Sequence, residues 1–279
     1  MQYLKRIGII FSGILNPIQM RTMNLFRTNP AYMAIAGLLF LQIPILIAGN
    51  TTLSDKVTSA EYLKSHVAAS VPERSMKEII LDEADSVYQA LDLVQAGVSE
   101  TAFELAYQGY YKLKESGRIV KEGLLTIADF SKPSNQTRLF VIDMISQKVL
   151  FKTLVAHGRN SGLTYANSFS NRPESNKSSL GFYLTLDTYM GGNGYSLKLE
   201  GLEKGINDKA YDRAIVMHGS QYVSDAFARS NGYLGRSLGC PAVPMKQTKP
   251  IINTIKNGSV LFIYHPDENY LTKSEILNS

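Results

Sequence analysis

Two residues able to do nucleophilic chemistry lie close together in the second half of the chain. His218 ends a strand-like run and is followed by Gly219, and Cys240, the single cysteine, comes twenty-two positions later. A thiolate is a strong nucleophile, and a neighbouring imidazole lowers the pKa of a thiol and accepts its proton. We therefore interpret Cys240 as a candidate nucleophile and His218 as its general base.

The cysteine follows a glycine-rich turn, residues 235–239 (GRSLG), and precedes Pro241. Gly239 allows the backbone to approach a substrate closely. The N–H groups of Gly239 and Cys240 are predicted to bind a developing oxyanion, whereas Pro241 has no N–H to offer. The alternative is that a lone cysteine is a small buried apolar residue. Spacing alone leaves both interpretations open.

Five further residues are candidates for substrate contact. Arg236 matches a carboxylate bidentately, or forms a surface ion pair. Ser237 hydrogen-bonds the substrate or caps the turn. Arg159 lines the predicted cleft or belongs to a polar hairpin loop. His157, the only other plausible active imidazole, also ends a strand-like run, and Gly219 adjoins the candidate base.

The sequence predicts neither a metal nor an organic cofactor. Four dispersed histidines and one cysteine make no ligand cluster, and no HExxH, Walker or EF-hand segment is present. Residues 191–194 (GGNG) do not run from strand to helix and lack a following Lys-Ser/Thr, so we predict a hairpin turn. One cysteine also excludes an intramolecular disulfide framework.

The formal charge of +5 comes from 29 basic and 24 acidic residues, and four of the basic residues lie in the first 49 residues, which hold no acid. The rest of the chain is close to neutral, which argues against nucleic acid as a partner. Residues 31–49 are uncharged and long enough to cross a bilayer, with arginines before them. We predict a signal peptide or inner-membrane anchor in residues 1–50 and a body exported to the periplasm. A cleaved signal, a retained anchor and a buried core helix remain open.

A linker at 51–70 and a helical preface at 71–117 are predicted next, with the second helix capped by Ser99 and ended by Gly117. From Leu124 onward, about seven short β-branched and aromatic runs alternate with turn clusters. This pattern indicates a mostly β (α+β) domain at 118–266 with the two helices packed on it. Residues 267–279 are a predicted C-terminal tail.

His-Gly at 218–219 followed by Ser-Leu-Gly-Cys at 237–240 resembles the catalytic signature of the YkuD-type L,D-transpeptidases. Residues 235–243 (GRSLGCPAV) resemble one sub-branch of that family. Further similar segments are 157–162 (HGRNSG), 168–171 (SFSN) and 199–202 (LEGL). The similarity runs from about Val98 to His265 and implies a mixed β-sandwich or barrel-like catalytic domain.

Two departures from the family pattern accompany this resemblance. The family commonly has a second histidine two residues before the cysteine, where this chain has Leu238. It also often has Arg or Asn shortly after the cysteine, where this chain has residues 241–243 (PAV). Any role of a second histidine is therefore absent or moved, and His218 must be the base.

The resemblance implies acyl transfer on peptidoglycan stem peptides, which would be both donor and acceptor. Cys240 would attack the carbonyl at the L-centre of the third stem residue, and His218 would protonate the leaving D-amino acid. An amine of a neighbouring stem would then take the acyl group and form a 3→3 crosslink. A thiol hydrolase of the same peptides and an inactive, membrane-tethered wall-binding module remain alternatives. The sequence is silent on oligomeric state.

Overall fold

The computed structural model describes residues 74–278. The predicted signal or anchor segment and the linker lie outside these residues and stay predictions. The described part contains, in chain order, α1 (Met76–Ala90), α2 (Leu93–Ala96), α3 (Glu100–Glu115), β1 (Leu124–Asp129), β2 (Leu139–Asp143), β3 (Lys148–Thr153), β4 (Gly181–Gly191), β5 (Gly194–Gly201), β6 (Val216–Ser220), α4 (Asp225–Asn231), β7 (Ala242–Pro244), α5 (Met245–Ile255), β8 (Val260–Tyr264), α6 (Glu268–Lys273) and α7 (Glu275–Asn278). No helix in this part has the length and hydropathy needed to span a membrane.

Side-chain caps set the starts of the two long helices. Ser75 and Glu78 form a capping box, with the Ser75 hydroxyl accepting the Glu78 N–H and the Glu78 carboxylate accepting the Ser75 N–H. Helix α1 therefore begins at Met76, within the predicted helical preface at 71–117. The Ser99 cap of α3 is confirmed, because its hydroxyl accepts the N–H of Ala102.

Helix α3 packs its apolar face on the sheet, as the spacing of its aromatic residues predicts. Phe103 and Tyr110 are buried on this face. Gly109 faces the ring of Phe182 on β4 so closely that an added Cβ would lie 2.0 Å from a ring carbon. Phe182 in turn stacks on Phe262 of β8 with 4.2 Å between ring centroids. Helix and sheet therefore share one hydrophobic core.

The eight strands form one mixed sheet in the order β3-β2-β1-β8-β4-β5-β6-β7. Two pairs, β1 with β8 and β6 with β7, are parallel, and the others are antiparallel. Ala156, just past β3, exchanges backbone hydrogen bonds with Ala242 of β7, so the two ends of the sheet approach each other. The mostly β, barrel-like expectation is confirmed, as is the hairpin turn between Gly191 and Gly194.

Several elements escape the sequence patterns. Strand β7 has only three residues, too few for a periodic signal. Helix α5 begins just after Pro244 and contains Pro250. Because proline is unfavourable inside a helix, the apolar spacing of this segment did not predict one. The segment predicted as a tail forms α6 and α7, which bury Tyr270 and Leu277. Gln108 of α3 donates to the Leu277 carbonyl at 2.8 Å, so this segment belongs to the fold.

Candidate active site

Strand β6 brings His218 next to the turn that carries Cys240. Strands β6 and β7 run parallel, and His218 is in register with Ala242. Cys240 lies two residues before Ala242, and its Sγ is 3.4 Å from the backbone nitrogen of Val216 on β6. The register therefore sets the cysteine turn beside Val216, two residues before His218 on the same strand. The structure thus places the cysteine turn next to the strand that carries the candidate base.

The Cys240 thiol is almost buried, with 9% of the residue exposed. Its S–H donates to the carbonyl of Ala214 at 3.7 Å, and the Val216 N–H donates to the sulfur. Burial raises the pKa of the thiol above its usual range, while the Val216 N–H and the charge of Arg213 oppose that rise. No hydrogen bond joins Cys240 to an imidazole in residues 74–278, so the lowering of this pKa by an imidazole stays a prediction.

The His218 ring is held in one tautomer by its own neighbour. Its Nδ1–H donates to the carbonyl of Gly219 at 3.0 Å, which leaves Nε2 with its lone pair. Burial lowers the pKa of His218, and the Gly219 carbonyl partly offsets this effect. Nε2 has no hydrogen-bond partner among the described residues. The imidazole is therefore neutral at pH 7 and able to accept a proton.

The turn before Cys240 is held by Ser237. The Ser237 hydroxyl donates to the Cys240 carbonyl at 2.7 Å and accepts the Gly239 N–H at 3.0 Å. Ser237 is buried and caps the turn, which leaves its hydroxyl engaged rather than open to a substrate. The predicted oxyanion donor at Gly239 is corrected for the same reason, since its N–H already has an acceptor. The Cys240 N–H has no oxygen acceptor in the described chain.

Gly239 is required by packing within the protein. Its φ is +128°, and an added Cβ would lie 2.8 Å from the carbonyl oxygen of Lys177. The backbone thus approaches the protein's own loop closely, not the substrate as the sequence suggested. Any side chain at this position would push that loop away from the cysteine turn.

His157 is a structural residue, which corrects its prediction as a substrate contact. It is fully buried. Its Nδ1 accepts a hydrogen bond from Nη2 of Arg138 at 2.8 Å, and its Nε2 donates one to the Gly162 carbonyl at 3.2 Å. Burial and the Arg138 charge lower the pKa of His157 to about 3. Both ring nitrogens are occupied, so this imidazole is not available for chemistry.

The predicted surface contacts have separate positions. Arg236 is exposed, and its Nη1 lies 3.4 Å and 3.3 Å from the carbonyls of Arg159 and Gly162. Arg159 is also exposed, while its N–H donates to the Ser237 carbonyl at 2.8 Å. Gly219 is buried, and an added Cβ would lie 2.2 Å from the Thr248 hydroxyl of α5. The Gly219 carbonyl orients the His218 ring. Gly219 also lines a cavity at the end of β6.

A cavity of about 790 Å³ adjoins the end of β6. Its walls come from the β4–β5 hairpin turn, from the chain just past His218, and from α4 and α5; the lining residues are Gly192, Asn193, Gly194, Gly219, Ser220, Gln221, Tyr222, Phe227 and Met245. Gly219, the neighbour of His218, lines this cavity, whereas Cys240 and His218 themselves are not among its lining residues. Burial raises the pKa of the Tyr222 phenol, so this side chain is a neutral wall of the cavity.

Three contributors to the site were not predicted from the sequence: Arg213, the carbonyl of Ala214 and the N–H of Val216. Two of them are backbone groups, which any residue type supplies. Ala214 adopts a left-handed φ of +52°. This conformation is uncommon for alanine, so the sequence does not predict it. Arg213 precedes the strand-like run and is indistinguishable in sequence from other surface arginines. Among the described residues, no cluster of three or more potential ligands could hold a metal ion.

Residues 94–264 match the family model of the L,D-transpeptidase catalytic domain. This match covers more than half of the chain, so the chain belongs to the L,D-transpeptidase catalytic domain family. The comparison with curated proteins gives no match.

Similar solved structures include three L,D-transpeptidases. One from Mycobacterium smegmatis is 13% identical, with 51% of this chain and 59% of that chain covered and a TM-score of 0.32. L,D-transpeptidase 3 from Mycobacterium tuberculosis is 12% identical, with 51% and 61% covered and a TM-score of 0.31. One from Stackebrandtia nassauensis is 14% identical, with 68% and 79% covered and a TM-score of 0.32. The chain thus spans about three fifths of the two mycobacterial structures.

Proposed function

We propose that the protein is a peptidoglycan L,D-transpeptidase that acts through a thioester on Cys240. The observation that carries this proposal is the contact of the Cys240 sulfur with the Val216 N–H, two residues from His218 on the same strand. It supplies a nucleophile and a base at one end of a sheet, beside a cavity. Membership of the family supplies the class of reaction.

Acylation begins from a neutral pair, because burial disfavours both the thiolate and the imidazolium. Nε2 of His218 takes the thiol proton as the sulfur attacks the carbonyl at the L-centre of the third stem residue. The C–S bond forms, and the bond to the terminal D-amino acid breaks. The proton on His218 passes to the leaving amine.

Deacylation reverses these roles. An amine of a second stem peptide attacks the thioester carbonyl and gives its proton to His218. The C–S bond breaks, and the sulfur recovers its proton from the imidazole. The product is a 3→3 crosslink, and the enzyme returns to its starting state without a metal or an organic cofactor.

Two residues support substrate binding in this scheme. The Cys240 N–H, which no oxygen in the described chain accepts, is a candidate donor to the oxyanion. Arg236 is exposed beside the cysteine turn and, within residues 74–278, contacts backbone carbonyls and the ring of Tyr233. Its guanidinium is therefore open to a stem carboxylate.

The proposed substrate requires the catalytic body to lie in the cell envelope. The supporting observation is the uncharged segment 31–49, which follows Arg21 and Arg27 and precedes the first later charge at Asp55. This asymmetry favours an N-terminus inside and a body outside the inner membrane. Either a cleaved signal or a retained anchor satisfies this requirement.

The test is incubation of the full chain with purified sacculi, followed by muropeptide analysis, with Cys240→Ala as the matched control. New 3→3 dimers that appear with the wild type and not with the variant support transpeptidation. Shortened stems without dimers would replace the proposal with a thiol hydrolase. Unchanged muropeptides would overturn it in favour of a wall-binding module.

A further inference from the structure

We propose that Arg213 is a positioning residue that holds one loop against the Cys240 turn and supplies the positive charge facing the Cys240 thiolate. This inference rests on the proposed role of Cys240 as nucleophile. Arg213 lies just before β6, three residues from Val216. It is half-buried, and the structure gives its guanidinium two separate tasks.

The first task is a clamp on residues 170–179. Nη1 of Arg213 donates to the Ser170 carbonyl at 2.8 Å and to the Ser179 hydroxyl at 2.7 Å. Nη2 donates to the Lys177 carbonyl at 2.6 Å and to the Ser175 hydroxyl at 3.3 Å. One planar side chain thus ties four points of a ten-residue segment together.

The clamped segment touches the residue before the nucleophile. The Ser178 hydroxyl donates to the Gly239 carbonyl at 3.1 Å. A Cβ placed on Gly239 would lie 2.8 Å from the Lys177 carbonyl oxygen and 3.4 Å from Nη2 of Arg213. The guanidinium therefore lies beside the backbone of the cysteine turn.

The second task is to supply a positive charge near the Cys240 sulfur. The oxygens that accept hydrogen bonds from Arg213 are all neutral, so they leave its charge uncompensated. No carboxylate pairs with it among the described residues. A partly buried cation without an anion is unfavourable, and burial accordingly lowers the pKa of Arg213. A negative charge on Tyr183 or on Cys240 opposes this effect. Reciprocally, the Arg213 charge lowers the pKa of Cys240.

Other groups near the sulfur do not provide this charge. His218 on β6 is neutral at pH 7 because burial lowers its pKa. Tyr222, from the chain after β6, is a neutral phenol whose pKa burial raises. Lys177 directs its ammonium to the Ser168 hydroxyl at 2.6 Å. Among the described residues, Arg213 is therefore the cation that stabilises the thiolate.

The experiment is the pH dependence of Cys240 alkylation by iodoacetamide on the full chain. Arg213→Gln should raise the midpoint by about 1 pH unit, the low end of the usual effect of one nearby charge. Arg213→Lys should have a midpoint close to that of the wild type, because lysine keeps the positive charge although it cannot form the four-point clamp. Ser179→Ala is the matched control: it removes one clamp contact and should leave the midpoint unchanged.

An unchanged midpoint in Arg213→Gln would overturn the inference. Equal upward shifts in all three variants would also overturn it, because they would leave only a structural clamp. Should Arg213→Gln not fold, the guanidinium NMR signals of Arg213 in the wild type decide. Their chemical shifts should change with pH around the alkylation midpoint, and this change should be absent in Cys240→Ser. Chemical shifts that do not change around that midpoint in the wild type would contradict the inference.

This test separates the inference from the proposed function. Alkylation needs neither sacculi nor an acceptor amine, so it reports on the thiolate alone. Shifted midpoints with unchanged muropeptides would leave Arg213 in its role and remove the transpeptidase. New crosslinks with an unshifted midpoint would support the transpeptidase and overturn the role of Arg213.

Discussion

The N–H of Val216 lies 3.4 Å from the sulfur of Cys240, so the strand that carries the candidate base also contacts the candidate nucleophile. A hydrogen bond to sulfur favours its anion over the neutral thiol. Because Val216 and His218 lie on one short strand, a displacement of β6 would move both groups together. The geometry of β6 therefore affects both the acidity of the thiol, whose pKa burial raises, and the position of the base.

Replacement of the sulfur should abolish crosslinking and leave the fold intact. Cys240→Ala removes one atom from a nearly buried position and leaves the Val216 N–H without its acceptor, a cost of about 1 kcal/mol in the free energy of unfolding. Cys240→Ser keeps a hydrogen-bonding atom there but is a far weaker nucleophile. Muropeptide analysis and thermal unfolding measure the two effects. Wild-type crosslinking by Cys240→Ala would refute the thioester mechanism.

Loss of the imidazole should slow acylation by about 10²–10⁴-fold, the usual effect of removing a general base. His218→Ala tests this by the rate of thioester formation. His218→Asn is its control, because an amide nitrogen in place of Nδ1 keeps the donor to the Gly219 carbonyl but lacks Nε2. Equal losses in both variants identify proton transfer as the role. Full activity in His218→Asn would show that the residue only supports the backbone.

A histidine at position 238 should be tolerated without a large gain in rate. Leu238 is 60% exposed, so a polar ring replaces it at little cost in stability. The present site already has its base in His218 and does not need a second imidazole. We expect crosslinking by Leu238→His within a few-fold of the wild type and an unchanged melting temperature. A gain of orders of magnitude would mean that the natural site is degenerate.

His157 and His218 show how far the sequence could predict the site. Each ends a strand-like run and precedes glycine, so local pattern treats them alike. The difference is the partner: Arg138, nineteen positions upstream of His157, donates to its Nδ1, whereas His218 is held by its own neighbour's carbonyl. The antiparallel pairing of β2 with β3 brings Arg138 beside the chain that leads to His157, and the residues around His157 alone do not encode that contact.

The fold was more predictable than the site because it follows from periodic patterns. The Ser99 cap and the alternation from Leu124 onward are local signals, and both elements formed as expected. Strand β7 and the acceptor of the Gly239 N–H depend on chain segments that meet only in the folded protein. The same is true of Arg213, whose four acceptors lie more than thirty residues away.

The buried pair of Arg138 and His157 should make the protein sensitive to acid. Burial and the adjacent guanidinium lower the pKa of His157 to about 3, whereas a histidine in the unfolded chain has a pKa of about 6.5. The unfolded state therefore binds one more proton between these values. The stabilisation is complete above pH 6.5 and is lost as the pH falls toward 3, with a slope of up to about 1.4 kcal/mol per pH unit.

His157→Gln isolates this contribution, because the amide can accept from Arg138 and donate to the Gly162 carbonyl without titrating. Urea unfolding at a series of pH values from 7 to 4 gives the free energy of unfolding of both proteins. The wild type should lose stability more steeply, so that its advantage over the glutamine variant shrinks as the solution becomes more acidic. Parallel curves would show that His157 binds a proton equally well in the folded and unfolded states, which its contact with Arg138 does not allow.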